Sequence, residues 1–161
     1  MYYLRKNFFL KTNEKSLAFF SKKKNISINN KTIKYLKKIA KKKKIDVRIC
    51  LHRNVKELVH SMIICQVKKK FYFWSKHKNT DEIYQIISGK LLVLTKIHKK
   101  INKFEINKRN FIFKLSKNIE HVTIPLTNYC VFHEIRRGPF LKKDTKFLKK
   151  IDNQYVKKNF L

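Results

Sequence analysis

The sequence predicts an all-β protein, an antiparallel sandwich or barrel, with a short basic helix ahead of it. Short strand-like runs follow one another closely from Ser61 to Glu134, with no helical period between them. Within several runs, apolar and polar residues alternate, most clearly in NFIFKL (110–115) and YCVFHE (129–134). A chain of 161 residues with 43% hydrophobic and 13% aromatic content is enough for one core, and too apolar for a disordered basic tail.

Taken in order, residues 1–44 read as a basic leader. Residues 1–30 show no firm periodicity and predict a loosely packed segment. From Thr32 to Lys42, Ile33, Leu36, Ile39 and Ala40 recur at helical spacing with lysines between them, which predicts a short amphipathic helix with an all-positive polar face. Such a helix either docks on the domain or lies on a membrane surface. The run Lys41–Lys44 closes the leader, and nine of the ten acids lie at or beyond Asp46. The domain proper is read as residues 45–148. Its predicted strands are Ser61–Val67, Phe71–Trp74, Ile83–Ile87, Lys90–Ile97, Lys103–Ile106, Asn110–Leu115, Ile119–Ile124 and Tyr129–Glu134. Turn signals such as Ser88-Gly89 and Leu126-Thr127-Asn128 separate them. Residues 149–161 read as a basic tail, with a docking turn at Phe147–Ile151 and a frayed end.

The net charge of +31 has two readings. A polyanion partner is one. Yet only six of the 41 basic residues are Arg, the side chain that binds phosphate bidentately, and Gly, Pro and Ala each occur twice. That pattern fits a strongly A/T-biased genome, in which exposed positions drift to Lys. Cys50, Cys65 and Cys130 lie in apolar segments without CxxC spacing, as buried thiols of a reducing compartment do. No apolar run reaches 18 residues, and the charged opening lacks a clean signal-peptide core. A cytoplasmic location is expected, although an opening with one acid in 44 residues also suits an organelle transit peptide.

The chemistry-bearing stretch is FYFWSKHKNTDEIYQIISG, residues 71–89. By the strand period of two, residues 73, 75 and 77 share a face, so Ser75 and His77 point the same way. Glu82 follows a polar turn that returns a carboxylate to the imidazole, and Gly89 sits where a tight turn favours a positive φ. His121 lies in a later strand, IEHVTIP. No nucleotide-binding glycine loop is present, and no Ser-His-Asp or Cys-His pattern has motif support.

The spacing His-x4-Glu-x6-Gly is the second half of the first cupin motif. More closely, the chain resembles the WbuC-like cupin-fold metalloproteins, through RICLH (48–52), SMII (61–64), HKNTDEIYQIISGKL (77–91), IEHV (119–122), HEIRRGPF (133–140) and Asp144-Thr145. The resemblance covers roughly residues 46–148. It implies a jelly-roll β-barrel holding a divalent transition metal (Fe, Mn, Zn or Ni) on His77, Glu82 and His121. Ser75 stands where that family has its first histidine, and Ser116 and Asn118 replace a proline and a glycine before the motif-two histidine. Ser75, Gln85, His133 and Glu134 are the implied pocket residues around the metal ligands.

The resemblance further implies a small polar ligand, a sugar or sugar-nucleotide of surface-polysaccharide (O-antigen) biosynthesis being the natural guess. Any reaction would be of the metal-dependent isomerase or oxygenase type. A homodimer is allowed for, while no specific nucleic acid and no membrane span are expected. Two other readings stay open: a metal-free cupin scaffold, and a basic RNA-associated protein. His52 reads as a pocket wall or a structural residue, and His60 and His98 as surface or strand-end residues. Arg136-Arg137 reads as a phosphate-binding pair or a plain exposed turn.

Overall fold

The computed structural model describes residue 4, residues 6–13 and residues 16–161. Nine successive strands build a two-sheet barrel: β4 (Val59–Val67), β5 (Phe71–His77), β6 (Glu82–Ser88), β7 (Leu91–Ile97), β8 (Lys100–Ile106), β9 (Ile112–Leu115), β10 (Glu120–Pro125), β11 (Tyr129–Arg137) and β12 (Thr145–Asp152). One sheet carries β4-β11-β6-β9 in spatial order and the other β12-β5-β10-β7-β8. Apart from the β7–β8 hairpin, the chain crosses to the opposite sheet at each step. That is the winding of a jelly roll.

The first sheet is longer than this set. β1 (Phe8–Asn13) and β2 (Ser16–Ser21) extend it to seven strands through β3 (Asp46–Cys50). β2 and β3 run parallel, Leu17 opposite Val47 and Phe19 opposite Ile49, and helix α1 (Asn30–Lys43) makes the connection between them. Asn29 caps α1, its side-chain oxygen accepting from the Thr32 amide at 3.0 Å. Leu36, Ile39 and Ala40 then pack on Val47, Ile63, Cys65 and Val131, on the outer face of the sheet. The expectation of a loosely packed leader is therefore corrected for residues 8–13 and 16–21. β2 buries Leu17, Phe19 and Phe20 between neighbours, so it lacks the alternation that reveals a half-exposed strand. Of the two readings for the helix, docking on the domain is what the fold displays.

The tail is likewise ordered. β12 pairs with β5, and α2 (Asn153–Phe160) buries Val156 against Tyr72, Trp74, Leu92 and Leu94 on the outer face of the second sheet. Between the sheets, Tyr84, Leu91, Val93, Ile106, Leu115, Cys130 and Phe132 form the barrel core. Beyond Tyr84 the interior opens into a cavity of about 820 Å³ that reaches solvent. The three cysteines are buried and unpaired, and no described helix is long and apolar enough to cross a membrane.

Candidate metal centre

The floor of the cavity is set by strand parity. On β5, Tyr72 and Trp74 turn outward beneath α2, so Phe73, Ser75 and His77 turn inward. The aromatic run thus splits into core and cavity wall. On β10, His121 stands directly opposite Ser75. On β6 and β11, Glu82 and Tyr84 face inward together with Glu134 and Arg136, their cross-strand partners.

These positions bring His77, Glu82 and His121 together, with one ligand atom from each lying within 4.8 Å of the others. Glu82 is 2% exposed. Its Oε1 is 3.1 Å from His77 Nε2, and its Oε2 is 3.3 Å from His121 Nε2 and accepts a hydrogen bond from the Tyr84 hydroxyl. Burial alone would raise the Glu82 carboxyl. The His77 hydrogen bond and charge, with His121 and Tyr84, outweigh burial and hold it down at about 2. Burial also holds the His121 imidazole below its ordinary range, against the opposing pull of Glu82. A carboxylate and a neutral imidazole, the forms favoured at Glu82 and His121, are forms that ligate metals.

The donor set passes a further test of fit. His121 Nδ1 lies 3.0 Å from the Ile119 carbonyl, which only accepts, so Nδ1 carries the proton and Nε2 presents its lone pair to the centre. His77 Nδ1 is held at 3.0 Å by Thr145 Oγ1, leaving its Nε2 aimed at Glu82. Two imidazole nitrogens and one carboxylate are the ligand types of the facial triad used by open, six-coordinate metals. Ser75 Oγ is 3.2 Å from His121 Nε2, so its hydroxyl can satisfy that nitrogen directly. The residues fit a divalent metal, and they also have a self-satisfied arrangement without one.

Glu134 faces the same cavity from β11. Burial, and then the charge of Glu82, push its carboxyl up to about 7, only partly offset by Arg136 and Arg48. The Arg136 guanidinium has Nη1 at 3.6 Å from Glu82 Oε1 and rests over the Phe140 ring, 5.2 Å from its centroid. The sequence offers Arg136 as half of a phosphate-binding pair or a plain turn, and no motif signals Tyr84 at the site. Both follow from parity with Glu82.

Two expected pocket residues are misplaced by the same rule. Gln85 and His133 pair with each other across β6 and β11, and both face away from the cavity. With 82, 84, 134 and 136 inside, 85 and 133 must be outside. His133 instead hydrogen-bonds Ser61 Oγ through Nε2 at 2.7 Å. His60 lies at the start of β4, a strand end, and is not on the surface: it is 2% exposed and stacks on His52 with ring centroids 4.1 Å apart. Burial pushes both rings down, His52 to about 4. His98 is exposed in the β7–β8 turn. Gly89 has φ of +86°, and a Cβ there would lie 2.6 Å from Thr127 Oγ1, as the tight-turn reading required.

No family model and no curated protein matches the chain. Among solved structures it is similar to CapF bound to the inhibitor 3-isopropenyl-tropolone, with a TM-score of 0.55 and 13% identity over 63% of this chain and 31% of that one. The fold is a cupin-type jelly roll. It is also similar to capsular polysaccharide assembling protein CapF from Staphylococcus aureus (TM-score 0.51, 14% identity, 58% of this chain and 27% of that one). Protein SO0799 from Shewanella oneidensis gives a TM-score of 0.51 at 9% identity, over 58% of this chain and 64% of that one. The chain thus spans about a third or less of the length of CapF and under two thirds of SO0799.

Proposed function

We propose that this protein is a small cupin-fold metalloprotein that binds or transforms a small polar ligand at the barrel centre, with His77, Glu82 and His121 as the metal ligands. The observation that carries the proposal is the convergence of these three donors on one point at the floor of an open cavity. When bound, a divalent metal would supply Lewis acidity toward a ligand oxygen. The chain's own residues prepare the site for it. The Ile119 carbonyl and Thr145 hydroxyl orient the two imidazoles, Tyr84 holds Glu82, and Ser75 offers a hydroxyl to a ligand or water.

A sugar or sugar-nucleotide of surface-polysaccharide synthesis is the ligand class we favour. The WbuC-like resemblance supports it, and one fold neighbour is described as a capsular polysaccharide assembling protein. The cavity mouth supports it chemically: Phe73 and Phe147 are 48% and 73% exposed there and present flat apolar faces to a sugar ring. Elemental analysis of protein purified without a histidine tag tests the metal. About one equivalent after reconstitution, lost in His121→Ala, is expected from a three-ligand site. Wild-type protein without bound metal after reconstitution would instead make the barrel a scaffold.

A further inference from the structure

The charges facing the cavity do not balance. Arg48, Lys69, Arg136 and Lys142 line it against Asp46, Glu82 and Glu134. Lys69 is spent on an ion pair with Asp46, and Glu82 is shared by two imidazoles and Tyr84. That leaves Arg48, Lys142 and Arg136 with Glu134 alone, and of the three it is Arg136 that stands beside the His77–Glu82–His121 centre. Its side chain is 13% exposed, and its approach to Glu82, at 3.6 Å, is too long for a hydrogen bond. Among the described residues no acceptor hydrogen-bonds its guanidinium, and Phe140 braces only its face. A guanidinium carries five N–H donors in a rigid fork that matches a carboxylate or phosphate, and this fork faces the cavity without a protein acceptor.

We propose that the cavity takes a ligand bearing an oxyanion, a phosphate or a carboxylate, and that Arg136 holds that group beside the His77–Glu82–His121 centre. The inference deepens the reading of the pocket given above and uses the same cavity. It does not depend on the metal. Arg136 comes from the strand position opposite Glu82, so an oxyanion on its fork lies within the ligand's own length of the imidazoles. Arg48, also on the cavity wall, adds a second guanidinium, one of whose nitrogens is held at 3.0 Å by Ser16 Oγ. The ligand then enters head-first with its oxyanion inward, leaving its less polar part between the exposed rings of the mouth.

The adjacent residue supplies the control. Arg137 turns to the opposite face of β11 and is exposed. Equilibrium dialysis against inorganic phosphate, repeated with succinate, is run on wild type, Arg136→Gln, Arg136→Lys and Arg137→Gln. Salt of about 0.2 M screens the diffuse attraction of a chain of net charge +31. Metal content is measured on the same samples. The expected result is one saturable site per chain, weakened at least tenfold in Arg136→Gln, less in Arg136→Lys, and unchanged in Arg137→Gln. Binding of one probe alone with this pattern identifies which oxyanion is preferred and upholds the proposal. The same pattern in wild type that stays free of metal after reconstitution upholds the oxyanion site while sinking the metal reading. Absence of a saturable site, or equal losses at Arg136 and Arg137, overturns the proposal. Should Arg136→Gln fail to fold, phosphate or succinate binding by Arg136→Lys as tight as wild type overturns it as well.

Discussion

Replacing Glu134 by Gln should stabilise the metal-free protein more at pH 8 than at pH 5. In the unfolded chain this carboxyl ionises near its ordinary 4.5, whereas burial and Glu82 carry it to about 7 in the fold. Between those values the native state holds a proton that the unfolded state has released. Stability contributed by this group is therefore lost as pH rises from about 4.5 to 7, and levels off above that. At about 1.4 kcal/mol per tenfold, the cost to the fold is about 1 kcal/mol at pH 5 and about 3 kcal/mol at pH 8. Glutamine keeps the shape and does not titrate, so its advantage over glutamate should grow by about 2 kcal/mol across that range. For a chain of this size that corresponds to a melting-temperature difference growing by about 4–8 °C. Thermal melts of wild type and Glu134→Gln, in chelator at pH 5, 6, 7 and 8, measure it. Comparing the two proteins at each pH cancels the opposite trend of Glu82, whose depressed carboxyl loses its stabilisation only as pH falls from 4.5 toward about 2. A difference between the two proteins that is the same at every pH would refute the reasoning.

Two further predictions concern the metal ligands and the leader. Ser75→His should raise metal affinity at least about tenfold, or about 1.4 kcal/mol, because position 75 faces His121 across β5 and β10 and opens onto the cavity; competition with a chromophoric chelator reads it, and unchanged affinity would remove position 75 from the site. Leu36→Ala should cost about 2–5 kcal/mol in urea unfolding, since Leu36 is fully buried on the sheet-facing side of α1; a loss under about 1 kcal/mol would mean that α1 only rests on the barrel.

The barrel was legible because its strands are half-buried and alternate. Each predicted run from Ser61 to Glu134 corresponds to a strand with shifted ends, and the eventual cavity face of Phe73, Ser75 and His77 followed from counting by two. The flanks were not legible for physical reasons. β2 is apolar on both sides because Leu17 and Phe19 pack with α1 while Phe20 packs on Cys50 and Met62, and β12 (TKFLKKID) is an irregular edge strand with three lysines in eight residues. The association of His77, Glu82 and His121 came from motif spacing, which the fold turns into distances. Gln85 and His133 failed for want of the parity argument that placed Ser75 correctly. Arg136 could have been found by the same count from Glu134.

Titration of the metal-free protein with Co(II) tests the central claim most directly. Visible d–d absorption reports coordination, and imidazole ligands at an open site give it measurable intensity. We predict saturation at one equivalent per chain, with the spectrum altered in His77→Ala and binding lost in His121→Ala and Glu82→Gln. Absorption that rises without saturating, or that is the same in all three variants, would contradict a metal centre built from these residues.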